Sequence, residues 1–170
     1  MLNRPKSSEY NPYLERYIGL VPDDDLLKTL KRQQTEMNDF LKSIPIEKGE
    51  YRYEKGKWSL KEVVGHIADI ERVMSYYLLV VARGDTTTYP SFDKDSYVSN
   101  AEYDRLELSD IITELSVVRQ STISLITCLS DNALMRTGTV MSQPTTARAL
   151  GYVIAGHELH HREIIKRSYL

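Results

Sequence analysis

The sequence predicts an all-α chain: a four-helix bundle with a long connection between its second and third helices. Three observations carry this. Four segments repeat apolar residues at helical spacing, and strand signals are few. The chain has 170 residues, enough for one domain with a sizeable core. Helices that each carry one apolar stripe bury it best against one another, which gives a bundle.

Residues 1–22 are expected to form an N-terminal arm, with Tyr10, Tyr13 and Tyr17 packed on a bundle domain of residues 23–170. Asp23, Asp24 and Asp25 supply the negative charge that a helix N-terminus favours. Leu26, Leu30, Met37, Leu41 and Ile44 follow at helical spacing, and Pro45 stops the run. The polar segment from Glu47 to Lys57, broken at Gly49 and Gly56, has room for a short extended piece around Tyr51 and Tyr53. Ser59-Leu60-Lys61-Glu62 reads as a capping box: the Ser59 hydroxyl accepts from a free backbone N–H and Glu62 reaches back to the cap. The second helix continues to Arg83 on Val63, Ile67, Ile70, Val73, Met74, Tyr77 and Val81, and Gly84 ends it. A long loop is expected from Asp85 to Asn100, around Pro90. Loops of this length are often functional, and Asp93, Asp95 and Tyr97 are its candidates for covering a site. The third helix runs from Ser109 to Leu129 on Ile111, Ile112, Leu115, Val118, Leu125 and Ile126. Residues 130–144 connect it to a fourth helix, from Thr145 to Tyr169. The connection between the second and third helices is long enough for a crossover, so an up-down order is not required.

Composition excludes several function classes. Lys and Arg number 22 against 24 Asp and Glu, a net charge of −2. Nothing in that balance favours nucleic acid or an anionic membrane. No apolar run approaches the roughly 20 residues of a membrane helix. The stretch from Met1 to Leu20 is polar, holds Pro5 and Pro12, and lacks the apolar core of a secretory signal. The single cysteine, Cys128, cannot form an internal disulfide. Its neighbours Ile126 and Leu129 predict a buried thiol, and a cytoplasmic location is expected. The 12 tyrosines read mostly as amphipathic packing residues.

The chain has 4 histidines, His66, His157, His160 and His161. At about 100° per residue, with His157 at zero, Leu150, Val153, Ile154 and Ile164 all fall within about 60° of it. His161 falls at about +40°, inside the same stripe, and His160 at about −60°, at its edge. On the second helix, Val63, Ile70, Val73 and Tyr77 lie within about 60° of His66. His66, His157 and His161 therefore point at one core, where unsatisfied imidazole nitrogens are costly. A metal satisfies all three. Two histidines at i and i+4 share a helix face, and a third from a facing helix completes a set with open positions for water or substrate. Neutral imidazoles suit zinc, nickel, iron and copper alike. Hydrogen-bonded core histidines without a metal are the structural alternative.

His157-Glu158-Leu159-His160-His161 also matches H-E-x-x-H, in which the two histidines hold zinc and the glutamate is a general base. The context is wrong for a protease. Ile164 stands where the extended motif wants glycine, no distant acid follows, and no upstream sheet offers a peptide an edge. Glu158 lies about 100° from His157, outside the stripe centre. It is a candidate base, with an interhelical salt-bridging acid as the alternative.

Lys57-Trp58-Ser59-Leu60-Lys61-Glu62-Val63-Val64-Gly65-His66-Ile67-Ala68-Asp69 resembles the N-terminal signature of DinB-like proteins. Gly156-His157-Glu158-Leu159-His160-His161-Arg162-Glu163-Ile164-Ile165 resembles their C-terminal H-x-x-H-H-R signature. Glu71-Arg72, Ala82-Arg83-Gly84-Asp85 and Phe92-Asp93 also look like one branch of that family. The resemblance covers residues 22–170. It implies a four-helix bundle, often a homodimer, whose metal ligands fall on His66, His157 and His161. It further implies a low-molecular-weight thiol as a possible cofactor, because characterised relatives include thiol S-transferases and isomerases. A metal that lowers a thiol's pKa and holds the thiolate accounts for that chemistry.

Other residues have two readings each. Asp69, one turn beyond His66, is either a carboxylate that orients an imidazole or a surface acid. His160 borders the pocket, bonds across helices or adds a fourth ligand. Arg162 either binds an anionic substrate group or forms a structural ion pair. Trp58 is a hydrophobic staple or core plug, with substrate stacking as the alternative. The function expected is a divalent-metal-dependent enzyme (zinc, nickel or iron) acting on a small molecule as transferase or hydrolase. The alternative is a non-catalytic metal- or ligand-binding protein of a stress response. An open coordination face beside a polar pocket discriminates the first from the second.

Overall fold

Residues 3–22 and 25–170 are described by a computed structural model. The chain opens with two short 3₁₀ turns, Ser7–Glu9 and Pro12–Leu14, and one helical turn, α1 (Glu15–Ile18). The bundle then comprises α2 (Leu26–Lys42), α3 (Leu60–Ala82), α5 (Leu108–Thr127) and α7 (Ala147–Ser168). Between α3 and α5 lie β1 (Thr88–Tyr89) and α4 (Lys94–Ala101), and between α5 and α7 lie α6 (Asp131–Leu134), β2 (Thr137–Val140) and β3 (Gln143–Thr146).

Local chemistry sets the helix ends. Asp25 caps α2, its carboxylate accepting from the Leu27 and Lys28 amides; Asp23 and Asp24 lie outside the described residues. Ser59 and Glu62 form the expected capping box on α3, and Gly84, at φ 80°, follows its end. Thr146 caps α7 through the Ala149 amide.

Helix α3 packs on α7 and α5, and α2 packs on α5 and α7. The cyclic order is therefore α2, α5, α3, α7. The long connection between the second and third bundle helices joins neighbours. The diagonal steps are instead the first-to-second and third-to-fourth connections. Strands β2 and β3 form a hairpin, and β1 adds to β2 in parallel, Thr88 opposite Thr139. This small sheet ties the α3–α5 connection to the α5–α7 connection at one end of the bundle.

The core falls into two apolar clusters. One holds Leu26, Leu30, Met74, Leu78, Leu150 and Ile154; the other holds Met37, Leu41, Val64, Ile67, Ile111 and Ile165. Every bundle helix carries a buried polar residue at or near the passage from one cluster to the other: Gln33, Glu71, Arg119 and Glu158. Arg119 donates to both Glu71 oxygens (2.8 and 2.9 Å), to Glu158 (3.0 Å) and to Gln33 (3.3 Å). Gln33 in turn donates to the Ala155 carbonyl at 2.9 Å. A buried arginine facing two carboxylates satisfies most of its donors, as a buried charge must.

Several sequence expectations change here. The N-terminal segment contributes Leu14, Ile18 and Val21 to the core and buries Tyr10, but Tyr13 stays exposed. No strand forms at Tyr51 or Tyr53; Ile46–Glu50 is a 3₁₀ turn, and both tyrosine rings sit edge-on to Tyr169. The stretch 85–100 is not one loop but holds β1 and most of α4. Cys128 is exposed rather than buried, because Ile126 carries the α5 stripe and Cys128 lies about 200° further round.

Candidate metal centre and its cavity

The apolar stripes of α3 and α7 bring His66, His157 and His161 together as sequence geometry predicts. All three are buried, and one ligand atom from each lies within 4.8 Å of the others. Their ring centroids are 5.1 Å (His66–His157), 4.8 Å (His66–His161) and 4.5 Å (His157–His161) apart. No other group of three such side chains meets this criterion among the described residues.

Electrostatics keeps these imidazoles neutral. Burial, then the Lys94 charge, pushes His66 down to about 4. Burial, then His66, takes His161 down to about 2, and burial, then His161, holds His157 well below the usual range. Lone pairs are thus free at neutral pH. Nδ1 of His66 and Nδ1 of His161 are buried and have no hydrogen-bond partner. Such orphaned nitrogens are costly in a core, and three converging neutral imidazoles are the donor set of a divalent transition metal. The residues fit the ion.

The histidines open onto a cavity of about 590 Å³. Ile70, Met74, Phe92, Met141 and Val153 form its apolar wall, while Arg16, Asp93, Lys94, Asp95 and His160 give it a polar side. Trp58 sits 4.7 Å from His66, ring to ring, with Lys94 Nζ 5.0 Å over its indole. Trp58 thus lines the cavity and also packs against the second apolar cluster. His160 is half-buried on the rim, 5.0 Å from His161 and 5.5 Å from Tyr17.

The expected lid residues divide. Asp93 and Asp95 line the cavity, whereas Tyr97 packs on Phe92 at 5.4 Å. Asp93 also caps α4 through the Asp95 and Ser96 amides, and Tyr77 donates to the Pro90 carbonyl at 2.9 Å, so the covering segment is pinned at both ends.

Three other candidates point elsewhere. Glu158 is turned to Arg119 and lines a separate cleft of about 20 Å³, so the salt-bridging alternative replaces the candidate base. Asp69 accepts from Tyr103 at 2.6 Å and lies 3.9 Å from Arg72; it is engaged away from His66. Arg162 pairs with Glu36 at 3.0 Å and does not line the cavity, which matches the ion-pair reading.

Sequence reasoning missed Arg16 and Lys94 as cavity residues. It also missed Gly156 as a packing requirement. A Cβ on Gly156 would lie 2.0 Å from the Tyr17 carbonyl oxygen. The glycine beside His157 thus lets α1 press onto α7 and set Tyr17 5.4 Å from the His157 ring. Its place inside the histidine motif was the available signal.

Comparison with known proteins identifies the family and the fold. The model of the DinB superfamily matches residues 29–165. The chain is 24% identical over 155 residues to a protein of Oceanobacillus iheyensis provisionally named a metal-dependent hydrolase, covering 86% of each chain. Its fold is similar to that of YfiT from Bacillus subtilis, described as a probable metal-dependent hydrolase with an unusual four-helix bundle topology. That match has a TM-score of 0.69 and 16% identity, and covers 96% of this chain and 91% of YfiT. A mycothiol-dependent maleylpyruvate isomerase matches with a TM-score of 0.68 and 13% identity, over 85% of this chain and 61% of the isomerase. At these identities the two structures establish the shared fold.

Proposed function

This chain belongs to the DinB superfamily, and on that footing we propose that it is a divalent-metal-dependent enzyme acting on a small molecule, as a hydrolase or a thiol S-transferase. One observation carries the proposal: three buried histidines with ligand atoms within 4.8 Å of one another face a wide cavity instead of a closed core. A structural ion asks for a complete ligand set, whereas a catalytic one keeps positions open. The open, partly polar cavity supports an enzyme over a purely metal-storing or structural protein. The hydrolase name of the Oceanobacillus relative and the mycothiol dependence of the isomerase support the two chemistries proposed.

His66, His157 and His161 hold the ion in this reading. Bound there, zinc, nickel or iron supplies Lewis acidity that lowers the pKa of a water or thiol at its free positions. The apolar wall of Ile70, Met74 and Val153 lowers the polarity on one side of the site, which strengthens charge interactions there. Trp58 packs on the His66 ring at 4.7 Å. His160 is the rim group placed to exchange a proton with bulk water, a role that Glu158 cannot fill from behind the site.

Metal content by mass spectrometry tests this first. Tag-free protein is expected to carry roughly one ion per chain, and His66→Ala to lose it. Absence of metal from both proteins, even after reconstitution with zinc, nickel, iron and manganese, would overturn the proposal.

A further inference from the structure

We propose that the cavity is built for ligands that carry a carboxylate, with Arg16 as the residue that recognises it. The inference deepens the proposed function and rests on the reading of the cavity as the substrate site.

Arg16 stands on the cavity rim, one aromatic ring from the histidines. Its guanidinium lies 4.0 Å from the Tyr13 ring centroid and 4.6 Å from that of Tyr17. The Tyr17 ring in turn meets His157 at 5.4 Å and His160 at 5.5 Å. Nη2 of Arg16 donates to both tyrosine hydroxyls, to Tyr17 at 2.6 Å. These contacts hold the planar fork in place without neutralising it. Nε and Nη1 make no hydrogen bond, and no carboxylate pairs with Arg16 among the described residues.

The other charged groups of the cavity are already engaged. Lys94 pairs with Asp95 at 2.8 Å, and one oxygen of Asp93 accepts the Asp95 and Ser96 amides of α4. Among the described cavity residues, Arg16 is thus the cation without a carboxylate partner. A ligand reaching from the histidines to Arg16 runs along the Tyr17 ring, which touches both His157 and Arg16, in a cavity also lined by Ile70, Met74 and Val153, so the preferred class has a metal-binding head, a short apolar body and a carboxylate tail. Guanidinium and carboxylate match as forked donor and acceptor, which gives direction as well as charge.

Two thiols of equal length test this on Co(II)-loaded protein: 3-mercaptopropionate and the neutral 3-mercapto-1-propanol. The bound thiolate is read from its sulfur-to-cobalt absorption. The acid is expected to bind about tenfold more tightly, a difference worth about 1.4 kcal/mol. Arg16→Met should abolish that preference and leave the dissociation constant of the neutral thiol unchanged, while Arg16→Lys should restore part of it. Equal binding of the two thiols to wild-type protein, or a preference that survives Arg16→Met, overturns the inference and leaves the metal site standing. If cobalt binds but neither thiol produces the absorption, the substrate-site reading itself fails and takes this inference with it.

Discussion

At the scale of single residues, direction on a helix separates chemistry from packing. His157 and Glu158 are adjacent in sequence, yet one faces the cavity and the other Arg119 on α5. Burial raises the Glu158 pKa against the opposing pull of Arg119, while Arg119 itself stays firmly charged between its two acids. The two kinds of substitution should therefore differ. Glu158→Gln keeps an acceptor for Arg119, which retains both Glu71 oxygens, so its cost is expected within about 1 kcal/mol, with metal content unchanged. Arg119→Met strands two buried carboxylates and should cost roughly 3–5 kcal/mol. Urea denaturation of the two variants measures both numbers. What would mark Glu158 as a catalytic base is loss of activity in Glu158→Gln with stability and metal content intact; activity is expected to be retained.

At the scale of elements, the long helices were legible because a 3.6-residue repeat of buried positions survives in the sequence, and the same repeat picked out the three histidines. The β2–β3 hairpin was not legible. Its two-residue turn is Met141-Ser142, both left-handed at φ 51° and 62°, where a hairpin normally carries asparagine or glycine. Met141 nonetheless lines the cavity and its amide donates to the Tyr89 carbonyl at 2.8 Å, so side chain and backbone both hold the strained residue. Ser142 has no such role in the cavity. Ser142→Gly should stabilise the protein by roughly 0.5–1 kcal/mol, visible as a higher midpoint in urea. Arg16 was hidden for a different reason: nothing in its local sequence tells that α1 lies against α7. That contact depends on Gly156. Gly156→Ala, whose new Cβ meets the Tyr17 backbone, should displace α1 and weaken the proposed carboxylate preference while leaving the three ligands on their helices. Retained preference in a folded Gly156→Ala protein would show that α1 does not depend on this close approach.

At the scale of the whole molecule, three neutral imidazoles inside one core make stability depend on pH. An unfolded histidine takes its proton near pH 6.5. In the folded metal-free protein His66 takes it only near 4, His161 near 2, and His157 well below the ordinary value, burial being the first cause each time. Below pH 6.5 the unfolded chain therefore binds more protons than the folded one, and stability falls as pH falls, down through the folded values. Between pH 7 and 5 each histidine contributes a loss of roughly 2 kcal/mol, or roughly 6 kcal/mol for all three. That approaches the entire stability of an ordinary domain, about 5–15 kcal/mol. Carboxylates whose pKa is lowered, such as Glu9 beside Arg148, work in the same direction but only nearer pH 4, so the first part of the decline belongs to the histidines. Metal-free protein is accordingly expected to lose most of its urea resistance between pH 7 and 5, and His161→Leu to lose less by about a third. Adding the metal at a hundredfold excess over its dissociation constant should restore about 2.7 kcal/mol at pH 7 and progressively less toward pH 5, because protons then compete for the same lone pairs. A flat stability profile between pH 7 and 5 in the metal-free protein would mean that the three imidazoles are already charged or solvated in the folded state, and the buried His₃ centre would have to be abandoned.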